Sequence, residues 1–163
     1  MTVRIAVCPG SFDPVTKGHL DIFERSSKMF DLLIVAVFCN PGKEPLFTME
    51  ERVEQLRNAT GHIPNIRVDS FSGLLNEYVR QQDSFIIVRG LRALSDFEYE
   101  FQRALLIKKI DPEIETMFMM ASSEYSFVSS SGIKELAKFG GPVRDLVPPC
   151  VEKLLLDRLA QQD

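Results

Sequence analysis

The sequence predicts an α/β fold: a doubly wound sheet of five parallel strands with helices on both faces. Three observations lead there. Short, nearly unbroken apolar runs recur, the clearest being Leu-Leu-Ile-Val-Ala-Val-Phe at 32–38, as strands buried on both faces require. Between them lie longer stretches with apolar residues three and four apart, the helical period. The two kinds alternate to the end of the chain, with no repeat, low-complexity tract or linker, so one Rossmann-like domain spanning 1–163 is expected.

Taken in order, residues 3–8 form the first apolar run. A helix over 18–29 follows, with Leu20, Phe23, Ser27 and Phe30 on one face. After the strand at 32–38 and a loop to Phe47, Thr48 and Glu51 make a capping box. The helix they open runs to about Thr60, where Gly61 suits its stop. A short strand is expected over 66–71 and a helix over 74–82. The strand at 84–88 ends at Arg89-Gly90. Asp96 is expected to cap a helix over 97–109, on which Phe97, Phe101 and Ala104/Leu105 share a face. Residues 116–120 make the fifth strand. Ser131 is expected to cap a helix over 132–139, and the last helix spans 149–160 with Val151, Leu154, Leu155 and Leu159 as its apolar stripe.

Composition narrows the function classes. The chain has 19 Lys and Arg against 23 Asp and Glu, a net charge of −4, which argues against a nucleic-acid binder with its basic face. No apolar run is long enough to span a bilayer and no signal-peptide pattern opens the chain, so no membrane partner is expected. The three cysteines, Cys8, Cys39 and Cys150, are odd in number and dispersed. They read as reduced thiols of a cytoplasmic protein, and no His/Cys cluster suggests a metal site.

In a parallel sheet with right-handed crossovers the strand-to-helix loops gather on one edge, where ligands bind at the reversal of strand order. Four loops meet there: 9–18, 39–47, 89–95 and 121–131. The first carries Pro9-Gly10-Ser11-Phe12-Asp13-Pro14 and then Thr16-Lys17-Gly18-His19. Its small residues open a helix whose unpaired N–H groups and dipole suit a phosphate, and glycines at 10 and 18 would let the backbone approach one. His19 stands in that helix's first turn, where a neutral imidazole still donates. Lys43, Arg89 and Arg92 add cations, the arginines with paired planar donors for phosphate. Ser129, Ser130 and Ser131 open a second helix with hydroxyls and free N–H groups. There is neither a Gly-x-Ser-x-Gly elbow nor a Walker-type loop, and no nucleophile–base pair. Phosphate-binding groups without a protein nucleophile point to phosphoryl or nucleotidyl transfer between two bound substrates.

These motifs resemble a known family. Ser11-Phe12-Asp13-Pro14 with Thr16-x-Gly18-His19, and Ser129-Ser130-Ser131-x-x-Lys134, are similar to the signatures of the nucleotidyltransferase superfamily. Arg89-Gly90-Leu91-Arg92 followed by Asp96-Phe97-Glu98-Tyr99-Glu100, with Phe47 to Arg52 and Tyr125 to Ser131, resembles more closely the bacterial phosphopantetheine adenylyltransferases. The resemblance implies transfer of AMP from ATP, with Mg2+, to 4′-phosphopantetheine. It implies catalytic roles for His19, Lys43 and Arg89. By the same resemblance, Ser11, Phe12, His19, Gly90, Leu91, Arg92, Glu100, Tyr125, Ser126, Phe127, Val128, Ser129, Ser130 and Ser131 line the ATP site. Ser11, Lys43, Leu75 and Arg89 hold phosphopantetheine. It further implies a homohexamer, a dimer of trimers, inhibited by coenzyme A. Ser11 stands where the family often has Thr, and Tyr125 where it often has Trp; hydroxyl and aromatic surface are kept. The rival readings are a related adenylyl- or cytidylyltransferase with another acceptor, and a non-enzymatic nucleotide-binding regulator of the same fold.

Overall fold

The computed structural model describes residues 3–39, 41–42 and 44–161. Strands β1 (Ile5–Gly10), β2 (Leu32–Phe38), β3 (Ile66–Phe71), β4 (Ile86–Leu91) and β5 (Glu115–Met120) are separated by helices α1 (Lys17–Ser27), α2 (Met49–Thr60), α3 (Leu75–Gln81) and α4 (Leu94–Ile110). Helices α5 (Ser130–Lys138) and α6 (Pro149–Ala160) follow β5. All pairings are parallel, in the order β3-β2-β1-β4-β5.

Two cores result from the alternation of side chains along each strand. Ala6 and Cys8 of β1 and Leu33, Val35 and Val37 of β2 face one way, onto Phe23, Leu56, Val151 and Leu155. Val7, Ile34, Ala36 and Ile87 face the other way, onto Tyr78 and Val79 of α3. Both faces of β1 and β2 are therefore dry, which explains their unbroken apolar sequence. The cysteines of the described chain are free, and burial pushes the Cys8 thiol up to about 12.

Several element boundaries move, each for a traceable reason. β1 runs on through Pro9 and Gly10, which pair with Ala36 and Val37 of β2. β4 continues through Arg89 to Leu91, opposite Phe118 to Met120, so Arg89 lies within the strand and not just after it. α1 ends at Ser27, leaving Phe30 buried beyond it. Gly61 ends α2 at a right-handed φ of −58°, without a left-handed turn. Asp96 does not cap α4: the helix starts at Leu94, and the Asp96 carboxylate accepts from the Arg92 guanidinium at 2.9 Å. Ser129, not Ser131, caps α5, its hydroxyl accepting from the Gly132 N–H at 3.0 Å.

The shared apolar face of α4 is not turned into the core. The helix has no buried residue, and Phe97, Phe101 and Leu105 are exposed, together with Leu94, Leu106 and Ile110. The helix turns Ile107 toward the second core, and its remaining apolar surface is too broad for the sheet edge at β4–β5 to cover.

Candidate active site

The chain order reverses between β1 and β4. There the strands share only one backbone register pair, Val7 with Ile87, whereas β1 and β2 share six. The carboxyl ends of β1 and β4 thus part, and a cavity of about 560 Å³ occupies the gap. Its volume suits a nucleotide-sized ligand. The N-terminal turns of α1 and α5 both reach it, through Gly18 and His19 and through Ser129 to Ser131. Among the described residues the Gly18 N–H of α1 and the Ser130 and Ser131 N–H groups of α5 have no acceptor within the chain, and both helices turn positive dipole ends to this space.

His19 is held by its own helix cap. The Thr16 hydroxyl accepts from the His19 N–H at 3.2 Å, and His19 Nδ1 accepts from the Thr16 N–H at 3.0 Å. The imidazole thus takes the place usually filled by Glu or Gln in a capping box. With Nδ1 an acceptor, the ring proton sits on Nε2, so the neutral imidazole is a donor there. The Phe12 ring meets the imidazole edge-on at 5.0 Å, and Phe23 stacks with it at 6.3 Å. Burial among these rings, and secondarily the charge of Arg92, push the His19 pKa down to about 4. Phe12 reaches its place at a φ of +46°, and its ring would lie 2.6 Å from a Cβ at position 10. Gly10 is therefore required by Phe12 rather than by a ligand. At Gly18 a Cβ would meet only ordinary contacts, so packing within the chain does not demand glycine there.

The cations are fixed by named partners. Arg89 Nε donates to Glu100 at 2.7 Å and Nη1 to the Pro9 carbonyl at 2.7 Å, both side chains being largely buried. The Pro9 bond spans the parted strands, replacing a backbone partner. Arg92 pairs with Asp96 and donates to the Val128 carbonyl at 3.2 Å, joining the loop after β4 to the loop before α5. Arg103 also reaches the cavity, one turn beyond Glu100 on α4. Of the serines, Ser129 caps α5 and Ser130 donates to the Pro14 carbonyl at 2.8 Å. Among the described residues, the hydroxyls of Ser11 and Ser131 have no partner, and both residues line the cavity.

Asp13 ties the neighbouring loops together. Its buried carboxylate accepts from the N–H groups of Leu46 and Phe47 and from Lys134 Nζ, each at 2.9 Å. The buried Arg52 donates to the Ser11 carbonyl at 2.8 Å. The turn after β1, the loop before α2 and the helix α5 meet at this point.

Of the residues expected at the site, Ser11, Phe12, His19, Arg89, Gly90, Arg92, Glu100, Tyr125, Val128, Ser129, Ser130 and Ser131 line the cavity. Leu91, Ser126 and Phe127 do not, and Phe127 is exposed. Leu75 lies on a small recess that shares Arg89, Glu100 and Arg103 with the main cavity. Lys43 lies outside the described residues. Thr16 and Tyr99, named only as members of motifs, line the cavity, and so do Arg103 and Ile22, which were not singled out. The spacing of Arg103 from Glu100, three residues on one helix, was the available signal.

The chain matches the cytidylyltransferase-like family over residues 7–136. It is 57% identical to a phosphopantetheine adenylyltransferase of Heliobacterium modesticaldum, over 98% of this chain and 93% of that one. It is 52% identical to one of Carboxydothermus hydrogenoformans, over 98% and 99% of the two chains. A solved structure carrying the name nicotinate-nucleotide adenylyltransferase, from Vibrio parahaemolyticus, superposes with a TM-score of 0.73 at 17% identity, over 99% of this chain and 98% of that one, and speaks for the fold alone. With a parted sheet, two helix starts and arginines at one cavity, and identity of this extent along nearly the whole length, the chain belongs to the phosphopantetheine adenylyltransferases of the cytidylyltransferase-like family.

Proposed function

We infer that this protein transfers the adenylyl group of ATP to 4′-phosphopantetheine, giving dephospho-coenzyme A and pyrophosphate. The observation that carries the reading is the 57% identity to a phosphopantetheine adenylyltransferase across 98% of the chain. The cavity is consistent with it in size, in its two helix starts and in its donors.

An oxygen of the acceptor phosphate attacks the α-phosphorus of ATP in line. The new P–O bond forms as the bond to the β-phosphate bridging oxygen breaks, and pyrophosphate leaves. A phosphate monoester has its second pKa near 6, so the nucleophile is already ionised near neutrality and no protein base is required. His19 donates from Nε2 to the α-phosphate oxygens as charge builds there, adding no second positive charge at a helix start. Arg89, Lys43 and the Ser11 hydroxyl hold the acceptor phosphate. The starts of α1 and α5, with Gly90, Arg92, Tyr125 and Ser129 to Ser131, hold the nucleotide; Glu100 orients Arg89 between the two. Leu75 lies toward the acceptor's arm.

Magnesium enters as Mg-ATP. The cavity carboxylates Glu100 and Asp96, and Asp13 behind them, each hold a cationic side chain. Among the described residues no three metal-binding groups cluster, so the nucleotide's own oxygens and water are the fitting ligands for the ion. Coenzyme A, which shares the acceptor's arm, is the expected feedback inhibitor at this cavity. The free cysteines favour a reducing, cytoplasmic setting. Among the described residues no helix is long and apolar enough to cross a membrane.

The decisive assay combines ATP, Mg2+ and 4′-phosphopantetheine and follows pyrophosphate. Turnover is expected there, with CTP and unrelated phosphate acceptors inert. Turnover with another acceptor only would replace this reading by the nearest rival.

The exposed apolar surface of α4 supports assembly of the proposed hexamer, since Leu94, Leu106 and Ile110 are each more than half exposed in the single chain. Sedimentation velocity is expected to give a species near six chains. A monomer at micromolar concentration would remove this part of the reading.

A further inference from the structure

Three arginines line the cavity, and they are not equivalent. Arg89 is paired with Glu100 and Arg92 with Asp96. Arg103 alone has no carboxylate partner among the described residues. Its Nη1 donates to the Tyr99 hydroxyl at 2.9 Å, and its guanidinium lies over the rings of Tyr99 at 5.5 Å and Phe38 at 5.8 Å. Stacking on aromatic faces holds a guanidinium in place while leaving the N–H groups in its plane to donate. Arg103 is half-buried and lines the cavity.

Its position on the wall indicates what it meets. It lines the main cavity and also the small recess beside it, where it stands with Arg89, Leu75, Ile107 and Thr116. A phosphate at Arg89 would leave the rest of its molecule to run along the α4 wall of the main cavity, which Tyr99, Glu100 and Arg103 form. An acceptor with amide groups in a flexible arm carries its carbonyl oxygens past Arg103.

We propose that Arg103 is a specificity-determining residue that donates a hydrogen bond to an amide carbonyl of the acceptor's arm. This rests on the adenylyl-transfer reading above and assigns to α4 a direct part in choosing the acceptor. The arm then meets a charged donor placed beyond the phosphate-binding groups, and a bare phosphate ester of similar size does not profit from it. Because Arg103 touches neither the α-phosphorus nor the acceptor phosphate, its removal acts on acceptor binding and not on the chemical step.

The test compares wild type, Arg103→Met and Arg103→Lys with two probes: 4′-phosphopantetheine as substrate, and propyl phosphate, which lacks amides, as a competitive inhibitor. Loss of a hydrogen bond from a charged donor predicts that Arg103→Met raises KM for phosphopantetheine roughly ten- to hundredfold. kcat and the KM for ATP should stay within about twofold, as should the propyl phosphate inhibition constant; Arg103→Lys should recover part of the loss. An unchanged KM in Arg103→Met would overturn the proposal, and so would equal weakening of both probes, which would place Arg103 on the phosphate. A fall in kcat with an unchanged KM would do the same. If wild type itself fails to turn over phosphopantetheine, the underlying reaction is wrong and the role of Arg103 falls with it.

Discussion

His19→Ala is expected to lower kcat by roughly 10²- to 10³-fold while changing ATP affinity far less, the usual loss when one preorganised donor to developing charge is removed. Single-turnover kinetics beside ATP-binding titrations read the two separately. A near-normal kcat would remove the imidazole from the mechanism. The pH dependence sharpens the test, because His19 is pushed down to about 4 whereas the acceptor phosphate ionises near 6. The acidic limb of kcat/KM for phosphopantetheine should therefore lie near pH 6, and should persist in His19→Gln. Stability carries the same signature with a definite sign. The unfolded chain protonates this histidine near its ordinary 6.5, while the folded chain resists until about 4. Its contribution is complete above pH 6.5, declines as pH falls toward 4, and is constant below; His19→Gln removes that slope.

Arg89→Ala is expected to damage both activity and stability, through different partners. Loss of the guanidinium takes a phosphate ligand from the acceptor, seen as a large rise in KM for phosphopantetheine. It also strands the Glu100 carboxylate, largely buried at 18% exposure, and leaves the Pro9 carbonyl without its donor. Breaking a buried pair on one side costs about 3 kcal/mol or more. For a domain of this size that lowers Tm by roughly 6–12 °C. The double variant Arg89→Ala with Glu100→Ala should recover much of the Tm and none of the activity. If both variants melt alike, the pair contributes nothing to the fold. If Arg89→Ala binds phosphopantetheine normally in calorimetry, its substrate role is gone. Arg89→Lys should remain impaired, because an ammonium cannot serve Glu100, Pro9 and a phosphate from one planar fork.

The layers of this molecule were legible in the sequence because burial on both faces leaves a distinct mark, as in residues 32–38, and because the Thr48–Glu51 capping box has the usual chemistry. Strand ends were less so. Pro9 and Gly10 have poor strand propensity, yet β2 pairs with them, and only the neighbour decides that. Helix starts went astray where two residues compete for one role: Asp96 is drawn to Arg92, and Ser129 forestalls Ser131. At the site, the loops carrying His19, Arg89 and the serines could be gathered from topology alone. The Thr16–His19 cap could not, since histidine is an unusual third residue for it. Arg103 was passed over because a cation on a helix normally reads as solvated surface, and only the fold shows the rings and the cavity beside it.

The Asp13 carboxylate has a consequence for how the molecule comes apart. It gathers amides from Leu46 and Phe47 and the ammonium of Lys134, so three stretches distant along the chain share one buried anchor. Releasing any of them leaves this buried carboxylate short of a donor. Local fraying of the loop before α2 is thereby coupled to the start of the chain and to α5, and the region opens as one cooperative unit. The binding-competent arrangement then lasts only while this unit is closed, and weakening any one of the three contacts is felt as a loss of assembled sites.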